Sequence, residues 1–362
     1  PTAQTVTGLS AAAASWLPAG TLAAWEAADA CARRLRSADG YCAVDLGCGG
    51  GGWAVGSEAA GLPAIGGIDG CPEAVATYKR NHPTHAAAVM DILDVDAVCA
   101  RVLLWLHRLG AGRLLVLLAS PPCQPHSLAG LGELAADPRL QVAAAMVRIA
   151  IRLSVAAILF ENVERFVASG AWLRAPASLK KAGYHVDYAV VDAGRLGLPQ
   201  RRRRVICIAC RGRPACTMAA AAAQVEQAPR TSVAQFFPGR QWFYHLHRRS
   251  WGKCVYDAAR HQVPVLRTNC TYFPVDMARY RPRPGDDAPL AQCPPWTTAE
   301  LGACQGFPLQ YSWPPRRKRC RCRLSPAAGR PCCQQPSVPR HSPDRQRSSP
   351  PYRGGVAPTR RP

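Results

Sequence analysis

Long hydrophobic runs are missing from this sequence, since Gly, Pro or Arg interrupts every apolar stretch before it reaches the length of a membrane span. The 17 cysteines also lack the spacing of a small secreted domain, and several lie among apolar residues. The chain begins with Pro rather than Met, so it supports no prediction about a targeting peptide. We expect reduced thiols, no membrane association and an intracellular location, in the nucleus if the source is eukaryotic and in the cytoplasm if it is bacterial or viral.

Acidic residues are scarce as well. Asp and Glu number 23 against 45 Lys and Arg, which gives a net charge of +22. Residues 314–362 contain 13 Lys and Arg and a single acid, Asp344, so this segment accounts for +12 of the total. The other 313 residues carry +10. This excess favours a polyanionic partner, because basic side chains that contact phosphates release counterions.

The two ends of the chain differ from its middle. Residues 1–38 are rich in Ala and predict one helix over Thr21–Arg36. Residues 314–362 contain almost no apolar side chains and predict a disordered basic tail. This tail is either an arm that binds nucleic acid or the product of translation out of frame after Trp313. The abrupt change in composition favours the second interpretation. Its cysteines match no zinc spacing, and we predict no metal site.

Strand-like and helix-like segments alternate from Tyr41 onwards, with helices expected at Glu73–Asn81 and Leu140–Ser154. This alternation predicts an α/β fold with a doubly wound, mostly parallel sheet. After Cys210 the alternation stops. We expect a catalytic domain at 39–210, a small irregular domain at 211–294 and a return to the catalytic domain at 295–313. The predicted strands are Tyr41–Leu46, Ala64–Asp69, His85–Met90, Leu114–Ala119, Ala156–Phe160, Val186–Val191 and Val205–Ala209.

A glycine-rich loop follows the first predicted strand. The segment Asp45–Gly52 (DLGCGGGG) lets the backbone turn tightly into a helix and approach a ligand. Such a loop alone is a plain turn about as often as a binding loop. Asp69 ends the second strand, where an acid commonly binds ribose hydroxyls, and Asp91 follows the third. Together these positions predict a nucleotide-like cofactor site.

Three further segments carry reactive side chains at strand ends. Pro122-Cys123-Gln124 supplies a thiol, Glu161-Asn162-Val163 an acid, and Gln200–Arg204 (QRRRR) a cluster of cations. Taken singly, each segment has a common interpretation without catalytic function. A single Cys is most often a small buried residue, a single Glu is usually solvated, and an Arg run usually forms a solvent-exposed basic surface. Their joint occurrence in this order favours a catalytic site.

In order and spacing, these segments resemble the DNA (cytosine-5)-methyltransferase family, over roughly Tyr41 to Trp313. The resemblance implies a Rossmann-like, S-adenosylmethionine-dependent enzyme. Gly47 stands where the family usually has Phe and Gly70 where it often has Trp, both of which pack on the adenine. The resemblance therefore implies either weaker cofactor binding or compensation by Trp53. The segments Val44–Gly52 and Ile68–Pro83 resemble the first two family motifs, and the implied cofactor residues are Asp45, Gly49, Gly51, Gly52, Asp69, Asp91 and Pro122.

The resemblance also implies catalytic roles. Cys123 would add to C6 of cytosine, Glu161 would act at N3, and Arg204 would lie near the ring oxygen. Gln200 and Arg202 complete the family's Gln-x-Arg-x-Arg pattern. His126 stands at a usual Phe position before the expected Ser127, and Leu128–Asp137 corresponds to a loop that closes over DNA.

Double-stranded DNA is the implied partner of a monomeric enzyme that flips its target base out of the stack. We expect Ser127 to contact the nucleic acid, together with Arg267 and Thr268 of the recognition segment Val265–Tyr272. Basic and aromatic residues of the irregular domain suit phosphate contact and stacking, or equally the domain's own core. They are Arg240, Trp242, Tyr244, Arg248, Arg249, Trp251 and Lys253.

Two alternatives remain open from the sequence. A tRNA-methylating branch of the same family shares the Cys and Glu chemistry, but it usually carries Cys-Phe-Thr, and the nearest segment here is Asn269-Cys270-Thr271. A catalytically inactive, DNA-binding relative is the second alternative. It is favoured by the missing tenth family motif, a Gly-Asn-x-Val segment, and disfavoured by the presence of Cys123 and Glu161.

Overall fold

Seven strands form one sheet in a computed structural model, which describes residues 40–108, 114–123, 139–212, 217–245, 254–266, 283 and 285–313. The strands are β1 (Tyr41–Leu46), β2 (Ala64–Asp69), β3 (Ala86–Val89), β4 (Leu114–Ala119), β5 (Ala157–Val163), β6 (Tyr184–Asp192) and β7 (Arg203–Arg211). Their order across the sheet is β3-β2-β1-β4-β5-β7-β6. The first five run parallel, and β7 is antiparallel between β5 and β6.

Helices connect these strands. They are α1 (Gly52–Ala59), α2 (Pro72–Asn81), α3 (Val95–Arg108), α4 (Arg139–Arg152) and α5 (Gly170–Lys181). Helix α3 buries Val98, Val102 and Trp105, which lie on one face at helical spacing. Among the described residues, none of the helices combines the length and hydrophobicity that crossing a bilayer requires.

The strand order reverses between β1 and β4, where the chain has wound outwards in both directions. At such a point the loops that follow neighbouring strands diverge and leave a crevice for ligands. The carboxyl ends of β1, β2, β4 and β5 share one edge of the sheet, and β7 begins at this edge because it is antiparallel. We call this edge the reactive edge.

A second apolar cluster lies outside the sheet's main core. It contains side chains of β8 (Trp242–Tyr244) and β9 (Val255–Asp257), together with Trp296. Arg240 is buried against this cluster, 4.1 Å above the Trp296 ring, and donates to Glu300 at 2.6 Å. Glu300 also completes a capping box with Thr297 at the start of helix α8 (Thr298–Ala303).

The predicted α/β fold is confirmed, and three predicted strands match the observed bounds of β1, β2 and β4. The region after Cys210 is more regular than expected, because it contains α6 (Met218–Gln227) and the short helix α7 (Val233–Phe236). Thr217 caps the start of helix α6, because its hydroxyl accepts from the Ala220 backbone amide at 3.1 Å. The predicted helix Thr21–Arg36 and the tail 314–362 lie outside the described residues.

Candidate active site

The glycine-rich loop turns the chain from β1 into α1 at the reactive edge. Gly47 and Gly51 have φ angles of 72° and 95°, in the region that L side chains rarely adopt. The Gly47 and Cys48 amides donate to the Ile68 carbonyl oxygen, at 2.8 and 3.0 Å. A Cβ on Gly47 would lie 2.9 Å from the Ser120 carbonyl oxygen. This backbone therefore has no room for the Phe that the family usually carries at Gly47.

Two buried aspartates flank the loop and differ in their partners. Asp69 accepts from the Gly49 amide at 2.9 Å and the Cys71 amide at 2.8 Å, so it fixes the loop to the end of β2. Asp45 is fully buried, and neither of its carboxylate oxygens has a hydrogen-bond partner among the described residues. Burial, and to a lesser extent the charge of Asp69, raises the pKa of Asp45 well above its usual value.

An aromatic segment from the far end of the described chain covers the outer side of this loop. The Tyr311 hydroxyl donates to the Gly50 carbonyl oxygen, and the Trp313 ring lies 3.4 Å from the position of a Cβ on Gly50. Asn81 fixes the segment to α2, because it accepts from the Ser312 amide at 2.7 Å and donates to the Ser312 carbonyl at 2.9 Å. This contact was not predicted from the sequence, although residues 307–313 contain three aromatic side chains.

The remaining predicted cofactor residues lie at the same edge. Asp91 follows β3, is exposed and accepts from the Leu93 amide at 2.9 Å. Pro122 is half-buried after β4. The Trp53 indole donates to the Ser120 hydroxyl at 2.8 Å and packs with the cluster of Val116 and Leu118. Trp53 therefore braces the loop after β4 against α1.

The predicted acid and cations come together where β5 pairs with β7. In this antiparallel pair Val163 faces Arg204 and Glu161 faces Ile206, so Glu161 and Arg204 lie on the same face of the sheet. Their side chains form an ion pair at 2.8 Å, and Arg202, two residues before Arg204, approaches Glu161 at 3.5 Å. All three side chains are largely buried. Register alone thus brings together residues about forty positions apart.

Cys123 lies in the electrostatic field of this charge cluster. Burial raises the pKa of the thiol, the charge of Glu161 raises it further, and the Arg204 and Arg202 guanidiniums lower it. Burial and the Arg204 charge lower the pKa of Arg202 to about 10. Asn162 joins the two loops, because its side chain donates to the Pro121 carbonyl at 3.1 Å. The thiol and the ion pair are thereby held at adjacent strand ends.

Gln200 links the reactive edge to the second apolar cluster. Its side chain is fully buried, and its amide atoms have no partner among the described residues. The backbone on either side pairs with Val263 of the second cluster: the Arg201 amide donates to the Val263 carbonyl at 2.9 Å, and the Val263 amide to the Pro199 carbonyl at 2.8 Å.

Several predicted nucleic-acid contacts can be placed only in part. Arg240 and Tyr244 are buried in the second cluster, and Trp242 packs against it, which favours the core interpretation for these three. The other predicted positions lie outside the described residues. They are Gln124, His126, Ser127, the segment Leu128–Asp137, Arg248, Arg249, Trp251, Lys253, Arg267 and Thr268.

The sheet order, with its reversal between β1 and β4, defines a Rossmann-like fold. The model of the family "C-5 cytosine-specific DNA methylase" matches residues 41–279. The chain belongs to this family.

Curated relatives are bacterial type II methyltransferases. The chain is 27% identical over 275 residues to M.HgiDI of Herpetosiphon aurantiacus, covering 75% of this chain and 84% of that protein. It is 30% identical over 233 residues to M.XorII of Xanthomonas oryzae pv. oryzae, covering 62% of this chain and 53% of that protein. The chain thus spans about half the length of M.XorII.

Solved structures share the fold. The Entamoeba histolytica methyltransferase EhMeth superposes with a TM-score of 0.56 at 14% identity, and the S. pombe Dnmt2 methyltransferase with 0.52 at 18%. Each comparison covers 78% of this chain and 91% of the solved chain.

Proposed function

We propose that this protein transfers a methyl group from S-adenosylmethionine to C5 of a flipped-out cytosine in double-stranded DNA. One observation carries the proposal: Cys123 lies in the field of the Glu161–Arg204 ion pair, beside a glycine-rich loop on the same sheet edge. Family membership and the type II methyltransferase names of the relatives support a DNA substrate.

The chemistry requires a thiol because C5 of cytosine is a poor nucleophile within the aromatic ring. In the proposed reaction the Cys123 thiolate forms a bond to C6, and the C5–C6 double-bond electrons become available at C5. Glu161 acts at N3 and Arg204 near the ring oxygen, where negative charge develops. C5 takes the methyl group of S-adenosylmethionine, whose sulfur keeps the electrons of the broken sulfur–methyl bond. Loss of the C5 proton to solvent and cleavage of the C6–sulfur bond then return the thiolate to Cys123 and restore the ring.

The residues of the glycine-rich loop fit S-adenosylmethionine. Asp45 offers two buried carboxylate oxygens without partners among the described residues, which suits a ligand that brings donors or positive charge. Gly49 leaves open space, since nothing lies within 4 Å of a Cβ built there. When bound, the cofactor supplies an electrophilic methyl group. We propose that Asp45, Gly49, Gly51, Gly52, Asp69, Asp91 and Pro122 hold it.

We also propose the division of the chain into a catalytic part, 39–210 with 295–313, and a recognition part, 211–294. The Gln200–Val263 bridge connects the two parts close to the proposed catalytic Arg202. Because one chain carries the thiol, the acid and both cations, we expect the enzyme to act as a monomer.

Transfer of labelled methyl from S-adenosylmethionine to duplex DNA and to tRNA, measured in parallel, tests this function. We expect label in DNA that disappears with Cys123→Ala and persists with Cys210→Ala. Cys210 is a matched control because it pairs with Ala157 at the opposite end of β5. Label only in tRNA would move the substrate to RNA. DNA binding without label in either nucleic acid would favour an inactive relative.

A further inference from the structure

A cluster of two histidines and a glutamate lies beside the glycine-rich loop, outside the reactive edge. Glu58 belongs to α1, and His82 and His85 follow α2. His85 Nε2 lies 2.6 Å from one Glu58 oxygen, and His82 Nδ1 lies 3.6 Å from the other. One potential ligand atom from each residue lies within 4.8 Å of the others. We propose that these three residues form a binding site for a divalent transition-metal cation of the zinc class.

The far side of each imidazole is held by a tyrosine. His82 Nε2 lies 3.2 Å from the Tyr311 hydroxyl, and His85 Nδ1 lies 3.0 Å from the Tyr78 hydroxyl. Tyr311 uses its only proton on the Gly50 carbonyl, so it accepts from His82 Nε2–H. This assignment leaves the lone pair of His82 Nδ1 directed towards Glu58. Outer partners that fix the tautomer and orientation are typical of histidines that bind metals.

The arrangement of His82 and Glu58 favours a cation between the imidazole and the carboxylate. His82 Nδ1 lies 3.6 Å from the Glu58 oxygen, which is too long for a hydrogen bond. The Nδ1 lone pair faces a carboxylate oxygen, and two acceptors face each other without a proton between them. A bound cation satisfies both atoms, as ion pairing or coordination usually does for buried polar groups.

Two imidazole nitrogens and one carboxylate, with further positions open, suit Zn²⁺ and its first-row neighbours. Zinc ligands lie about 2.0–2.2 Å from the ion, which spaces them roughly 3.3 Å apart. Binding therefore displaces the proton shared by His85 Nε2 and Glu58. It also rotates the two imidazoles, which now stack with an interplanar angle of 17°. This site was not predicted from the sequence, because its ligands come from two helix ends 24 residues apart.

The test uses the full chain, freed of metal with a chelator and titrated with Co²⁺, whose absorption reports its ligands. We expect one site with weak visible bands that is lost in Glu58→Gln and in His85→Gln. Exposed His107 on α3 provides the matched control, and His107→Gln should keep the site. Cysteine-bound Co²⁺ adds an intense near-ultraviolet band that these variants leave unchanged.

Zn²⁺ supplies the second measurement. It should raise the melting temperature of the wild type and of His107→Gln, and release about one proton per ion. Neither effect should occur in Glu58→Gln, which folds readily because Glu58 is exposed and its partners are retained. If Glu58→Gln binds Co²⁺ as tightly as the wild type and responds equally to Zn²⁺, the proposed site is wrong. Absence of any non-thiolate Co²⁺ site in the wild type would overturn it as well.

Discussion

The two halves of the reactive edge are held in opposite ways. Around β1 and β2 the glycine-rich loop is fixed by backbone hydrogen bonds, and it leaves Asp45 buried without a partner among the described residues. Around β5 and β7 the side chains satisfy each other, since Glu161 is paired with Arg204 at 2.8 Å. The half around β1 and β2 therefore contains a buried carboxylate without a partner among the described residues, whereas in the half around β5 and β7 an arginine neutralises the carboxylate.

This difference indicates two kinds of preorganisation. An unpaired buried acid costs folding free energy until a ligand brings the missing donor or charge. A paired acid costs less, and it keeps its geometry while another group approaches. We infer that a cofactor pairing with Asp45 recovers the free energy that burial of this acid costs. The ion pair around β5 and β7 instead places positive charge where an anion develops during the reaction. The following variants test that contrast.

Loss of the Glu161 carboxylate should have the largest effect. Glu161→Gln is expected to lower the methyl-transfer rate by about 10²–10⁴, the usual contribution of a general acid or base. The Cys123 thiol should respond in the opposite direction, because the Glu161 charge raises its pKa. We therefore expect alkylation of the Cys123 peptide, followed by mass spectrometry, to be faster near pH 7 in the variant.

Glu164→Gln is the matched control for this experiment. Glu164 is half-exposed and pairs with Arg203 at 3.1 Å, away from the thiol. It should leave both the transfer rate and the alkylation rate unchanged. Faster transfer in Glu161→Gln, or slower alkylation of Cys123, would contradict the charge arrangement.

Crowding of the glycine-rich loop should have the next largest effect. A Cβ on Gly51 would lie 2.7 Å from the Tyr311 hydroxyl and 2.8 Å from His82 Nε2, at a φ of 95°. Gly51→Ala should cost about 2–4 kcal/mol of unfolding free energy, from strain and overpacking together. Gly49→Ala shares the positive φ but meets nothing within 4 Å, so denaturant unfolding should show a smaller loss. Equal losses would mean that the aromatic segment does not pack on this loop.

Removal of a cation should change the thiol in the direction opposite to Glu161→Gln. The Arg204 charge lowers the pKa of Cys123, so Arg204→Gln should raise that pKa. We expect alkylation of Cys123 to slow at a fixed pH of about 8, and methyl transfer to fall roughly 10–100-fold. Arg203→Gln, on the opposite face of β7, should change neither rate. If the pH dependence of Cys123 alkylation is the same in Arg204→Gln as in the wild type, the Arg204 charge does not act on the thiol as proposed.

Neutralising the unpaired acid should produce the smallest change, and it is a gain in stability. The pKa of Asp45 is raised in the folded state, so its charge costs folding free energy once the pH exceeds the unfolded value. Asp45→Asn should therefore raise the unfolding free energy by about 1–2 kcal/mol near pH 7. The gain should shrink at pH 5, where ionisation of the unfolded chain contributes less.

Binding of S-adenosylmethionine supplies the second readout for Asp45→Asn. If Asp45 contributes to cofactor binding, calorimetry should show that the stabilised variant binds S-adenosylmethionine more weakly than the wild type. A variant that is more stable and binds equally well would show that Asp45 has no part in the cofactor site.

Sequence patterns predict the sheet well because its buried strands are short apolar runs bounded by Gly, Pro or Asp. The bounds of β1, β2 and β4 follow directly from this pattern. Helix α6 escaped prediction because its run of Ala has no apolar period and no buried residue. Composition identifies such a segment as a possible helix only weakly.

The candidate site was predictable as a set of residue types but not as a set of contacts. Cys123 follows β4, Glu161 lies near the end of β5 and the Arg run leads into β7. Their meeting at one edge therefore depends on β7 running antiparallel to β5, which the sequence does not specify. Tyr311 and Gly50 lie 261 residues apart in the sequence, so their contact depends on the path that the chain takes after α8. The pairing of Glu58 with His82 likewise depends on side-chain directions that no local pattern specifies.

A trapped covalent complex would show directly whether Cys123 adds to the cytosine ring. Duplex DNA in which 5-fluorocytosine replaces cytosine prevents loss of the C5 substituent, so a thiol added at C6 remains attached. With S-adenosylmethionine present, we predict a protein–DNA adduct whose modified peptide contains Cys123, and no adduct with Cys123→Ala. Methyl transfer to ordinary DNA together with an adduct on a different cysteine, or with no adduct, would contradict the account.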